Sequence, residues 1–161
     1  MADPNVELWA TDEVHFQQHG SRCRMWIPSE TKDPIRDGKF FFHRETDKFN
    51  GVTFFAFLKA LYHASTTGPQ RVVVITDNAR YHHARLHRTW REEHADKFTL
   101  DYLPPYSPEL NPIERVWKLT RRQCLHNRYF PVLSEVVNSV EAQFALWVRG
   151  NVTLRRLCAI T

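Results

Sequence analysis

Short apolar runs alternate along this chain with longer stretches in which apolar residues recur every three or four positions. Val6-Glu7-Leu8-Trp9-Ala10-Thr11 alternates apolar and polar residues before two acids, Asp12 and Glu13. That pattern predicts a half-buried strand over 7–11 with Asp12 at or near its end. Arg71-Val72-Val73-Val74-Ile75-Thr76 is a β-branched run that breaks into polar Asp77-Asn78. It predicts a buried strand with Asp77 at its C-terminal mouth. Further strands are expected over 23–27, over 39–43 beside the turn signal Asp37-Gly38, and over 98–103, which Pro104-Pro105 closes. Phe54, Phe55, Phe57, Leu58 and Leu61 have helical spacing and predict a helix over 52–64, ended by Thr66-Thr67-Gly68-Pro69. An Arg- and His-rich helix is expected over 80–94 and another from 112 to about 125. A last helix starts near Ser134, with Val136, Val137, Val140, Phe144 and Trp147 on one stripe. Strands alternating with helices point to an α/β sheet. The early strands, unbroken by helices, point to antiparallel pairing there, and so to a mixed sheet.

Composition narrows this picture. A chain of 161 residues is expected to form one domain, 1–161. A domain of this size buries ~70 % of its unfolded surface. Apolar content of 42 % with 13 % aromatics argues against disorder. The net charge of +4 favours a polyanionic partner. Cys23, Cys124 and Cys158 are scattered, odd in number and without a CxxC pair, as in a reduced, cytoplasmic protein. The start, Met1-Ala2-Asp3-Pro4, has no basic or apolar run of a signal peptide. No apolar stretch approaches a membrane span.

The chemistry concentrates around Tyr106-Ser107-Pro108-Glu109-Leu110-Asn111-Pro112-Ile113-Glu114-Arg115-Val116-Trp117. Two prolines and a capping asparagine precede a carboxylate, which places Glu114 in the first turn of a helix. Asp77 at a strand's C-terminal end lies where open α/β sheets bind ligands. If Asp12 joins them, three acids from three elements form one cluster. Clustered carboxylates repel unless a cation neutralises them or one takes up a proton. Hard divalent ions such as Mg²⁺ take oxygen ligands.

Each residue also has a plainer explanation. Glu114 falls where a capping-box carboxylate pairs with Asn111, and the two roles are not exclusive. Asp77 alone suits an Asx turn. Adjacent strand residues face opposite ways, so only one of Asp12 and Glu13 can point into the site; Asp12 is the choice. His82, His83 and His87 invite a zinc reading, but no acid or cysteine at matching spacing completes a zinc site. A solvated, phosphate-facing helix accounts for them better, with a place for His82 beside the acids as the alternative. Arg115, Lys118, Arg121, Arg122 and Arg128 make a basic helix and exit loop, a solvated face unless phosphates are in play. Trp117 is expected in the core. So is the Phe40-Phe41-Phe42 run, as buried strand.

The segments Thr11-Asp12-Glu13, Ile75-Thr76-Asp77-Asn78-Ala79-Arg80-Tyr81-His82-His83 and Pro105-Tyr106-Ser107-Pro108-Glu109-Leu110-Asn111-Pro112-Ile113-Glu114 resemble the DDE transposases of the mariner superfamily, in particular those of bacterial insertion sequences. The last two motifs together are specific, and Asp77 and Glu114 stand 37 positions apart, close to the family's spacing. The resemblance implies an RNase H-like mixed sheet with helices on both faces. It implies Asp12, Asp77 and Glu114 as catalytic metal ligands for two Mg²⁺ (or Mn²⁺) ions. Asp12 is expected to bridge both ions, with Asp77 on one and Glu114 on the other. It also implies DNA strand cleavage and strand transfer in transposition, DNA as partner, and self-association in a synaptic complex. His82, His83, Arg115, Lys118, Arg121 and Arg122 are the expected DNA-binding residues.

Two departures from the family carry expectations of their own. The chain begins almost at the first catalytic strand, so N-terminal helix-turn-helix modules are expected to be absent. Only the polar stretch 29–37 bridges the strands at 23–27 and 39–43, so one early sheet strand is expected to be missing, leaving a gap beside the Asp12 strand. Two alternatives to transposition stay open: an inactive remnant that binds DNA non-specifically, and a simple metal-dependent nuclease.

Overall fold

The computed structural model describes residues 5–18, 21–30 and 39–158. The turn expected at Asp37-Gly38 lies outside them. Five strands, β1 (Val6–Gln18), β2 (Ser21–Glu30), β3 (His43–Glu45), β4 (Arg71–Thr76) and β5 (Phe98–Tyr102), form one sheet in the order β3-β2-β1-β4-β5. The first three pair antiparallel, while β4 and β5 are parallel to β1. This is the mixed sheet expected.

The expected gap beside the Asp12 strand is not there. β1 pairs with β2 over ten positions, from Trp9↔Glu30 to Gln18↔Ser21, and with β4 on its other side. Both strands run well beyond the stretches that alternation marked, because a long hairpin supplies each with a continuous ladder partner. The strand expected over 39–43 starts later, at His43. Phe40 and Phe42 instead pack their rings on Phe144 at 5.1 and 5.4 Å, while Phe41 turns to Phe57 on the opposite side.

Helices α1 (Gly51–Ser65), α2 (Arg88–Glu93), α3 (Ile113–Thr120), α4 (Leu133–Val148) and α5 (Val152–Cys158) complete the fold. α1 begins with a capping box: the Asn50 side chain accepts from the Val52 and Thr53 amides, and the Thr53 hydroxyl accepts from the Asn50 amide. The sheet separates two cores. Trp9, Val72, Val74 and Phe98 meet Phe54, Phe57, Leu58 and Leu61 of α1 on one face. Ala10, Val14 and Phe16 meet Ile113, Val116 and Trp117 of α3 and Val140, Phe144 and Trp147 of α4 on the other. β1 thus sends odd positions to α1 and even positions to α3, by strand alternation. Burying a Phe or Leu side chain contributes about 1.5–3 kcal/mol, so both cores are substantial.

The helix expected over 80–94 is broken. Residues Arg80–His83 and Arg85–His87 form two 3₁₀ turns with Ala84 extended between them (ψ 139°), and only Arg88–Glu93 is α-helical. α3 continues as a wider π-helical turn, Arg121–Leu125. Among the described residues no helix is long and apolar enough to cross a membrane.

Candidate active site

Asp12, expected at a strand end but lying midway along β1, comes beside Asp77, just past the end of β4, because the two strands are neighbours in parallel register. β1 and β4 pair up to Ala10↔Ile75; two positions further on, Asp12 and Asp77 stand level on chains spaced about 4.8 Å apart. α3 then brings Glu114 over this end. Its start is tied to β1 by Asn111, a buried side chain that donates to the Thr11 carbonyl (3.2 Å) and accepts from the Ile113 amide (3.3 Å). The Asn111 amide, which a capping box would give to Glu114, goes to the Pro108 carbonyl (3.0 Å) instead. Asp12, Asp77, Asn78, Ala79, Asn111, Glu114 and the segment 103–108 line one cleft of about 490 Å³.

Each acid has its own surroundings. Asp12 Oδ2 accepts from the Trp117 indole (3.0 Å), and Oδ1 accepts from the Glu13 amide (2.9 Å). Burial, with the Glu13 and Glu114 charges adding to it, pushes Asp12 up to about 8 against those two hydrogen bonds. Asp77 Oδ1 accepts the Asx-turn bond from the Ala79 amide (3.0 Å) and a second from His82 Nδ1 (2.8 Å). The His82 hydrogen bond holds Asp77 below the usual carboxylate range, against burial. Asp77 is therefore both an Asx-turn residue and a cleft residue.

Glu13, by alternation, points to the other sheet face. There it accepts from the Tyr81 hydroxyl and from His82 Nε2 (3.0 Å). His82 is buried, 1 % exposed, and each ring nitrogen serves a different carboxylate. Burial favours its neutral form, but the bonds to Asp77 and Glu13 outweigh this and raise it to about 9. Glu13, Asp77 and His82 have ligand atoms within 4.8 Å of one another. The imidazolium itself fills the space between the two acids, so the group is closed by hydrogen bonds rather than held open for an ion.

His82 was expected to contact DNA; with its ring buried and both nitrogens engaged, it does not present itself to a phosphate. His83 is exposed, stacked on Tyr102 at 4.2 Å and bonded to Asn78 (2.9 Å). His87 is buried and bonds the Tyr81 carbonyl (3.0 Å), with burial pushing it down. The three histidines thus have separate partners and form no zinc site. Lys118, Arg121 and Arg122 are exposed on α3 and its π-helical extension. Arg115 is exposed too, but its guanidinium donates to the Leu157 carbonyl (2.8 Å) and so also fastens α5.

Four residues of the site escape a reading of the sequence for chemistry: Glu13, Tyr81, Asn111 as a tie to β1, and Trp117 as a donor. Trp117 stands three positions after Glu114, on the same helix face, and that spacing was the available signal.

Comparison with known proteins agrees with this geometry. Residues 35–137 match the family described as DDE superfamily endonuclease. A protein of Sinorhizobium fredii, "Uncharacterized protein y4pE/y4sA", is 42 % identical over 65 residues, 40 % of this chain and 44 % of that one. The "Insertion element IS630 uncharacterized 39 kDa protein" of Shigella sonnei is 37 % identical over 70 residues, 44 % of this chain and 18 % of that one. The chain spans less than half the length of both relatives. The catalytic domain of Mos1 mariner transposase superposes with a TM-score of 0.61 at 19 % identity, covering 94 % of this chain and 78 % of that one. The fold is that of the RNase H-like transposase and integrase catalytic domains.

Proposed function

The chain belongs to the DDE superfamily endonucleases, and we propose that it serves metal-dependent cleavage and strand transfer of DNA in the transposition of a bacterial insertion sequence. The observation that carries this is the meeting of Asp12, Asp77 and Glu114, from three separate elements, in one cleft.

The residues fit a divalent cation. Their donors are all carboxylate oxygens, the set that Mg²⁺ or Mn²⁺ takes. Asp12 is raised to about 8, by burial first and then by the charges of Glu13 and Glu114, which marks a place where negative charge goes uncompensated until a cation or proton arrives. Asp12, Asp77 and Glu114 would hold the ions, two in number by the resemblance. When bound, such ions activate the attacking oxygen and stabilise the departing one in an in-line displacement at phosphorus.

The chain's own groups do the rest. Trp117 and the Glu13 amide orient Asp12. His82 and the Ala79 amide occupy Oδ1 of Asp77 and leave Oδ2 for the cleft. Asn111 fixes the start of α3, and with it Glu114, against β1. Lys118, Arg121 and Arg122 supply sequence-blind attraction for the phosphate backbone, with Arg115 on the same helix and the exposed His83, bonded to the cleft residue Asn78, as further contacts. Cleavage by water and joining by a terminal 3′-hydroxyl are the same in-line attack, so one cleft serves both. DNA and a second copy of the chain, in a synaptic complex, are the partners this function requires.

Purified protein is expected to nick plasmid DNA in Mg²⁺ or Mn²⁺ and to lose that activity in Asp77→Ala. It is expected also to join a 3′-hydroxyl end to target DNA. Nicking without joining would leave a simple nuclease. Salt-sensitive DNA binding with neither product would leave an inactive remnant.

A further inference from the structure

Residues 103–111 form a wall of the cleft that is fastened at its two ends. Pro104, Pro105 and Pro108 have no amide to donate. Among the described residues, the hydrogen bonds of 105–110 stay inside the wall. The Ser107 hydroxyl donates to the Pro105 carbonyl, the Leu110 amide to the Ser107 carbonyl and the Asn111 amide to the Pro108 carbonyl. Pro104, Pro105, Tyr106, Pro108, Glu109 and Leu110 are exposed, so packing adds little hold. At the far end, Asn111 is buried and donates to the Thr11 carbonyl. At the near end, the Leu103 amide donates to the Thr76 carbonyl (2.9 Å), and the Leu103 carbonyl accepts from Asn78 Nδ2 (2.5 Å). Two asparagines thus hang the wall between β1 and the end of β4.

We propose that Asn78 is a positioning residue that keeps this wall closed beside the acids, with His83 setting the direction of its amide. This rests on the strand cleavage proposed above and deepens it. A carbonyl can only accept, so the amide nitrogen of Asn78 faces Leu103 and its oxygen faces His83. That oxygen accepts from His83 Nε2 (2.9 Å), which places the imidazole proton there. Asn78 is exposed, and water competes for both bonds. The His83 ring is itself held, stacked on Tyr102 at 4.2 Å. Tyr102 donates to the His82 carbonyl (2.9 Å) and accepts from Arg91 (2.7 Å). A line of contacts therefore runs from α2 to the wall. Asp12 and Asp77 have bonds of their own, and Asn111 places the helix that carries Glu114. Loosening the Asn78 tie thus leaves the acids where they are and weakens the hold on substrate.

The test reads the wall first without DNA or metal. Chymotrypsin cuts after Tyr106, in the wall, and mass spectrometry of the fragments gives the rate. The cut after Tyr129, which is exposed but does not line the cleft, controls for global unfolding. Asn78→Ala is expected to be cut after Tyr106 roughly three- to tenfold faster, the share of one hydrogen bond, with the Tyr129 cut unchanged. His83→Phe keeps a ring on Tyr102 but no donor, and is expected to match Asn78→Ala. His83→Gln restores a donor at the Nε2 position and is expected to be cut at the parent rate. Both substitutions, Asn78→Ala and His83→Phe, in one chain are expected to be cut no faster than Asn78→Ala alone. In plasmid nicking with Mg²⁺, Asn78→Ala is expected to raise KM about fivefold and to keep kcat within about twofold. Unchanged cutting after Tyr106, or additive effects of the two substitutions, overturns the assignment. Faster cutting at the parent KM confines Asn78 to the fold and overturns it. A raised KM at the parent cutting rate makes Asn78 a direct DNA contact and overturns it as well. A parent protein that nicks nothing while the cutting pattern holds removes the DNA function and leaves the tie standing.

Discussion

His82 bonds two carboxylates through two nitrogens, and those nitrogens can be removed one at a time. An asparagine amide nitrogen lies where imidazole Nδ1 lies, and a glutamine amide nitrogen where Nε2 lies. His82→Asn therefore keeps the bond to Asp77, which is 2.8 Å in the parent, and gives up the one to Glu13; His82→Gln keeps the 3.0 Å bond to Glu13 and frees Asp77. A hydrogen bond to a charged group contributes about 1.5–3 kcal/mol. Asp77 is half exposed, at 50 %, so water competes for the freed oxygen and the lower end of that range applies. About 1.4 kcal/mol is a factor of ten in an equilibrium constant. Both variants are neutral and both lose the ring packed on Phe54 at 4.2 Å, so charge loss and cavity formation are common to the pair. Their difference reports which carboxylate keeps its bond, Asp77 in His82→Asn or Glu13 in His82→Gln, and only Asp77 lines the cleft. Nicking followed across a Mg²⁺ series at fixed pH is expected to reach half its maximum at about tenfold more Mg²⁺ in His82→Gln than in His82→Asn. Thermal melts of both variants verify that each is folded. Two folded variants with the same Mg²⁺ midpoint would show that His82 only fills space beneath the cleft, and the reasoning would be wrong.

Other outcomes follow from the same geometry. Asp12→Asn and Glu114→Gln are each expected to lower nicking by more than the roughly 10–100-fold typical of a residue that merely supports a metal ligand, with melts close to the parent's. Asn111→Ala removes a buried tie between α3 and β1 and is expected to cost about 1–2 kcal/mol, or roughly 3–6 °C in Tm by calorimetry. The proton on Asp12, raised to about 8, stabilises the metal-free fold fully below the ordinary value of 3.8 and is lost as pH rises through about 8; the raised His82 acts in the same direction. In EDTA the parent is thus expected to melt lower near about pH 9 than near about pH 6, with a shallower fall in Asp12→Asn. Replacing Lys118, Arg121 or Arg122 by Ala is expected to reduce the slope of log affinity for duplex DNA against log salt by about 0.9 each. An unchanged slope would place that side chain away from the phosphates.

What the sequence made legible was local. Asp77 and Glu114 each stand at the end or start of an element whose boundary is written in neighbouring residues, a β-branched run that breaks and prolines before a helix, whereas Asp12, expected at a strand end, lies midway along β1. Their arrival in one cleft depends on strand register, which no local pattern states. The expected loss of a sheet strand failed for the same reason, because the partner for β1 was sought in apolar runs. β2 meets it residue by residue through the polar positions Arg22, Arg24, Ser29 and Glu30, and a ladder bonds backbone to backbone whatever the side chain. The helix over 80–94 failed differently. His82 is drawn toward Asp77 and Glu13, and two charge-assisted bonds outweigh the modest preference of a few residues for α-helix. Strand alternation rightly sent Asp12 and Glu13 to opposite faces. It did not follow that Glu13 is idle. A sheet one residue thick has a site on one face and its support on the other, so the acid that points away from the cleft is the one placed to hold, through His82, an acid that lines it.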